Sequence, residues 1–120
     1  MKILIAEDDA PSGMLLRNQL KDIAGEIISA RNGADAVSMF LSNPDTDLIL
    51  MDIKMPEMDG YEATKKIREV SSNVVIIAET AYAMTNDREK ALSVGCNDYI
   101  SKPINREKLL ELVKKHFELD

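Results

Sequence analysis

The sequence holds 120 residues, 45% of them hydrophobic and 30% charged, with 21 acidic against 15 basic side chains and a formal charge of −6. That length supports one ordinary hydrophobic core and not two. No apolar run nears the roughly 18 residues of a membrane span, and the acidic balance argues against a surface that neutralises nucleic-acid phosphates. We therefore expect one domain over residues 1–120, touching neither membrane nor nucleic acid directly. The apolar run Ile3 to Ala6 stops at Glu7, too short for a secretory leader, so the expected location is cytoplasmic. The single Cys96 has no internal disulfide partner and reads as a small buried residue.

In chain order, the runs "KILIA", "EIISA", "DLILM" and "NVVIIA" are continuous rather than alternating, as strands covered on both faces of a parallel sheet require. Helical patterns lie between them. Segment 11–24 opens on Pro11, carries Leu16, Leu20 and Ile23 at helical spacing, and ends at Gly25. Segment 33–42 presents Ala36, Val37, Phe40 and Leu41; segment 60–70 presents Ala63, Ile67 and Val70; segment 84–94 presents Ala91 and Leu92 before Gly95. A short fifth strand, "DYI" at 98–100, precedes a last helix after Pro103, with Asn105 as its cap and Leu109, Val113 and Phe117 on one face. Five alternations of strand and helix predict an α/β, doubly wound, five-stranded parallel sheet with five helices. Ligands bind such sheets at the carboxyl ends of the strands, where strand order reverses.

Those ends carry Glu7, Asp8 and Asp9 after the first strand, Asp52 after the third, Thr80 after the fourth, and Ser101, Lys102 and Pro103 after the fifth. Singly, each has a plain structural reading: Asp9 as a helix cap, Asp52 as a turn residue before Pro56 and Asp59-Gly60, Thr80 as a β-branched strand residue, Lys102 as a solvated lysine. Together they are harder to dismiss, because carboxylates crowded at a buried strand end repel one another unless a cation intervenes. Glu7 and Asp8 are the pair suited to a hard divalent ion such as Mg²⁺. Asp52, alone on its strand, is the candidate nucleophile toward phosphorus, with Lys102 to balance phosphoryl charge and Thr80 to donate a hydrogen bond.

Here the sequence resembles a known family. The motifs "ILIAEDD", "DLILMDIKMPEMDGYE", "IIAETAYA" and "NDYISKPI", in that order, are similar to receiver domains of two-component response regulators, which have a flavodoxin-like, CheY-like fold. The resemblance implies Glu7 and Asp8 as the Mg²⁺ pair, Asp52 as phosphoacceptor and metal ligand, and the backbone carbonyl of Lys54 as a further ligand. It implies Thr80 as switch hydroxyl, Lys102 as phosphate-pairing lysine, Tyr99 as switch aromatic and a cis Lys102-Pro103 bond. Lys54 and Tyr82 match positions that tune phosphoryl lifetime. The implied partners are a sensor histidine kinase or a histidine phosphotransfer protein, and a downstream protein on the face of helix four, strand five and helix five. The implied assembly is a monomer or a weak phosphorylation-dependent dimer. The "TAYAM" run is similar to receivers attached to hybrid sensor kinases. Two positions depart from the common pattern: Glu7 stands where Asp is commoner, and Glu79 precedes Thr80 where a neutral residue is usual. Glu79 is expected as an exposed side chain at a strand end.

In this reading the chain is a signalling phosphoacceptor, not an enzyme beyond its own phosphorylation and dephosphorylation. A haloacid-dehalogenase-type phosphatase needs a second aspartate two positions after the nucleophile, where this chain has Lys54. A nucleotide or flavin module lacks its glycine motifs here. An unphosphorylated pseudo-receiver stands as a third alternative, disfavoured by the complete set of acids, Thr and Lys. His116 is expected to be a solvated helix residue, and the methionines packing or loop residues.

Overall fold

The computed structural model describes residues 1–81 and 85–117. Its elements are β1 (Lys2–Ala6), α1 (Ala10–Leu20), β2 (Glu26–Ala30), α2 (Gly33–Ser42), β3 (Leu48–Asp52), α3 (Gly60–Val70), β4 (Val75–Thr80), α4 (Thr85–Val94), β5 (Asp98–Ser101) and α5 (Arg106–Phe117). The strands form one parallel sheet in the order β2-β1-β3-β4-β5. This is the flavodoxin-like doubly wound order, which reverses between β1 and β3.

The strands β1, β3 and β4 are buried on both faces, but the run "EIISA", expected to be covered likewise, is not: β2 lies at the sheet edge with Glu26 and Ser29 exposed and only Ala30 buried. Leu4, Ile49, Met51, Ile76 and Ala78 join one cluster with α2 and α3 residues such as Phe40 and Ile67. Ile3, Ile5, Leu48, Leu50 and Ile77 join the other with Leu16 and Leu20 of α1 and Leu109 and Val113 of α5. Period-two alternation sorts each strand between these two layers, which is why every strand residue from Leu48 to Asp52 is buried.

The helix starts follow their caps. The Asp9 carboxylate accepts the Ser12 N–H at 3.1 Å, Asn32 Oδ1 that of Asp35 at 2.7 Å, Asp59 Oδ1 that of Glu62 at 2.9 Å, and Asn105 Oδ1 that of Lys108 at 3.1 Å. The Lys102-Pro103 bond is cis. Cys96 is buried, 3.7 Å from the Thr64 hydroxyl.

Four further expectations are corrected. Leu41, Val70 and Leu92 are exposed, because Phe40, Ile67 and Ala91 already fill the buried stripes of their helices and the three lie beside or beyond them. β4 runs to Thr80, two residues past the apolar run. Glu79 therefore occupies an interior strand position on the same face as Ile77, and it is fully buried rather than exposed. His116 is not a freely solvated residue: α5 packs it 3.1 Å from Asp98 of β5.

Candidate functional site

The sheet brings the selected strand-end residues to one rim. Asp52 ends β3, and Glu7 follows β1 immediately, its N–H donating to the Ala30 carbonyl at 3.0 Å. Since Ala6 pairs with Met51, the next step of the β1–β3 ladder sets Glu7 beside Asp52. Thr80 ends β4 paired with Ser101, and its carbonyl accepts the Lys102 N–H at 2.7 Å. One carboxylate oxygen from each of Glu7, Asp8 and Asp52 lies within 4.8 Å of the other two, with Asp8 exposed and the other two buried.

The loop that carries Asp52 into α3 is fixed by close backbone approach. A Cβ on Gly60 would stand 2.3 Å from the Asp52 carbonyl oxygen, and one on Gly33 would stand 2.2 Å from that of Met58. Only glycine fits at either point. Gly60 N–H donates to the Ile53 carbonyl at 2.9 Å and Gly33 N–H to Met58 at 2.9 Å, so the turn is held at both ends.

Lys102 balances this cluster. Its ammonium sits 3.2 Å from Glu7 Oε1 and 3.4 Å from Asp52 Oδ2. Burial alone would lower its pKa, but the carboxylates of Asp52, Glu7 and Glu79 outweigh that and hold it above the usual lysine value. One ammonium is too little for the carboxylates. Glu7 is pushed up to about 7, first by burial and then by its hydrogen bond and like charge with Asp52, which Lys102 offsets only in part. A site that holds a proton on a carboxylate near neutrality has room for another positive charge, and these hard oxygen donors suit Mg²⁺.

On the far wall, Thr80 Oγ1 donates to Asp87 Oδ2 of α4 at 3.0 Å, and Tyr61 OH donates to Asp87 Oδ1 at 3.4 Å. The Lys90 ammonium lies 4.5 Å from the Tyr61 ring centroid. The residues surround an open cleft of about 810 Å³ that Glu7, Asp8, Asp52, Lys54, Thr80 and Lys102 all line. Asp87 and Tyr61 were not among the sequence candidates. Tyr61 was visible within the "DGYE" motif, whereas nothing in the spacing marks Asp87. Tyr99 is half-buried on β5, away from this cleft, beside a second depression bounded by α5 residues Lys108, Leu112 and Lys115. Tyr82 lies outside the described residues.

The family model for the response regulator receiver domain matches residues 3–114. The chain belongs to that family. A segment of hybrid signal transduction histidine kinase B of Dictyostelium discoideum is 41% identical, a match covering 96% of this chain and 6% of that protein. The chain spans only 6–7% of the length of the Dictyostelium hybrid kinases it matches. Among solved structures, the co-crystal of the Saccharomyces cerevisiae phosphotransfer protein Ypd1 with the receiver domain of the response regulator Ssk1 superposes with a TM-score of 0.88. It shows 31% identity over 96% of this chain and 87% of that one. The CheX-CheY-BeF3-Mg²⁺ complex of Borrelia burgdorferi superposes with a TM-score of 0.90 at 26% identity, covering 98% and 89%. The chain is thus a receiver domain of the two-component, phosphorelay class.

Proposed function

We propose that Asp52 accepts a phosphoryl group from the phosphohistidine of a sensor histidine kinase or a histidine phosphotransfer protein, and that this shifts the domain to an active conformation. The observation that carries the reading is the Asp52 carboxylate at the open end of β3, bracketed by the Lys102 ammonium at 3.4 Å and the acidic pair Glu7 and Asp8. The yeast receiver found with a phosphotransfer protein supports the donor class.

In the transfer, an Asp52 oxygen forms the new P–O bond in line with the breaking P–N bond. The electron pair stays with the imidazole, which leaves neutral because its other nitrogen keeps a proton. Glu7, Asp8, Asp52 and the Lys54 carbonyl would hold Mg²⁺, which supplies charge neutralisation on the phosphoryl oxygens. Lys102 is close enough to exchange its contact with Asp52 for one with a phosphoryl oxygen. Thr80 would turn its hydroxyl from Asp87 to the phosphoryl group, which carries roughly two negative charges at neutral pH. That exchange releases a contact between β4 and α4 and gives Tyr99 an inward position, reshaping the face of α4, β5 and α5 for a downstream protein. Catalysis extends only to the domain's own phosphorylation and dephosphorylation. The reading takes residues 1–120 as one cytoplasmic domain acting as a monomer or a weak phosphorylation-dependent dimer.

The test is transfer from a ³²P-labelled phosphohistidine protein. Label is expected on wild type with Mg²⁺ and not on Asp52→Asn; label on a correctly folded Asp52→Asn protein would refute the assignment.

A further inference from the structure

Among the described residues, Glu79 is the buried carboxyl group that phosphoryl transfer does not use. It pairs with Asp52 in the β3–β4 ladder, yet its side chain lies at the inner wall of a different cavity. That cavity, of about 400 Å³, lies between α1 and the β5–α5 loop, walled by Leu15, Leu16, Pro103, Ile104 and the Lys102 side chain. Both Glu79 oxygens are buried, and among the described residues neither has a hydrogen-bond partner. The nearby Lys102 acts on it through charge alone, because the hydrogen bonds and ion pairs of that ammonium go to Glu7 and Asp52 on the rim side. An unsatisfied buried carboxyl is costly and calls for an explanation.

The surrounding walls are preformed. Gln19 of α1 donates to the Ile104 carbonyl at 3.1 Å, tying the helix to the loop. Leu15, half exposed, stands at the mouth of the cavity. A ligand complementary to this cavity has an apolar body for the leucine, isoleucine and proline walls. Its head must carry two parallel N–H donors matched to a carboxylate's two oxygens and a positive charge, which on binding replaces the proton that burial holds on Glu79 and releases it to solvent.

We propose that this cavity binds a small flat organic cation of the amidinium or guanidinium class, with its head on Glu79 and its body between α1 and the β5–α5 loop. The site is separate from phosphoryl chemistry at Asp52 and does not depend on it. Because the Lys102 side chain forms part of both cavities, an occupant sits next to the phosphoacceptor cleft without entering it.

The probe is benzamidine, titrated into the isotope-labelled 120-residue protein with excess Mg²⁺ while amide resonances are followed by NMR. The expected result is saturable shifts at Leu15, Leu16, Glu79 and Ile104 with a dissociation constant of about a millimolar. Binding should weaken by about tenfold or more in Glu79→Gln, and benzyl alcohol, of similar shape but uncharged, should bind about tenfold more weakly than benzamidine. Leu15→Trp, an exposed substitution that narrows the mouth, should show the same loss and decides the matter if Glu79→Gln does not fold. Shifts confined to Asp8, Asp9 and Asp59, no saturation, or undiminished binding to both variants would overturn the proposal.

Discussion

Asp52 and Glu79 are neighbours in one ladder, at the ends of adjacent strands, and both are buried, at 5% and 0% exposure. Their surroundings differ in contact and access. Asp52 has Lys102 at 3.4 Å, the Lys54 N–H at 3.3 Å and an open cleft above it. Glu79, one strand over, has no hydrogen-bond partner among the described residues, and burial drives its pKa up to about 8, with the charges of Glu7 and Asp52 adding to the rise and that of Lys102 offsetting it in part. A carboxyl group at a strand end is therefore not a site by itself. What suits Asp52 to the proposed transfer is access from outside and an ammonium 3.4 Å away.

The sharpest way to break the Asp52 side of this comparison is to move its backbone. Gly60→Val puts a branched side chain where even a Cβ would lie 2.3 Å from the Asp52 carbonyl. We expect a loss of roughly 3 kcal/mol or more, read by denaturant unfolding, with phosphorylation abolished even in the folded fraction. A variant of wild-type stability would show that the β3–α3 turn does not fix Asp52.

Removing the shared cation comes next. Lys102→Met leaves Glu7 and Asp52 without their ammonium, and the expected cost is about 2 kcal/mol at pH 8. The Glu7 pKa should rise further, so the deficit should shrink at pH 5, where Glu7 is protonated in wild type and variant alike. A deficit independent of pH would mean that Lys102 acts by packing alone.

The Glu79 side is tested by removing the charge. A carboxyl whose folded pKa is raised binds its proton more tightly folded than unfolded, so it lowers stability as pH rises from about 4.5 to about 8. Glu79→Leu should therefore be more stable than wild type by roughly 2 kcal/mol at pH 8, with the gap closing by pH 5. Thermal melts at the two pH values give the answer, and a gap of constant size would contradict the raised pKa. The smallest effect is expected at Lys54, whose side chain is exposed at the cleft. Lys54→Ala should leave stability within about 0.5 kcal/mol while changing the lifetime of the phosphorylated form several-fold, and equal lifetimes would count against its role in water access.

These contrasts also mark where the sequence was readable. Short continuous runs such as "DLILM", alternating with helical patterns, suit strands covered on both faces, so the parallel sheet and its helical layers followed from pattern. The rim residues followed from topology, since each comes directly after an apolar run. Glu79 was misread for the same reason: the run ends at Ala78, so Glu79 read as an exposed side chain at the strand end, while pairing with β3 and β5 carries the strand on through Thr80. The Asp87 contact with Thr80 and the His116 contact with Asp98 join residues on separate elements, and their identity depends on helix rotation that local pattern does not encode. Leu41 and Val70 were misplaced for a related reason, as a helix has more apolar residues than its buried stripe can hold.

The most direct test of the contrast is intact-mass analysis after incubation with acetyl phosphate, with and without Mg²⁺, on wild type, Asp52→Asn and Glu79→Gln. The account predicts one phosphate adduct on wild type and on Glu79→Gln, dependent on Mg²⁺, and none on Asp52→Asn. An adduct that survives in Asp52→Asn but disappears in Glu79→Gln, or folded wild-type protein that takes no phosphate from acetyl phosphate or from a phosphohistidine donor, would contradict it.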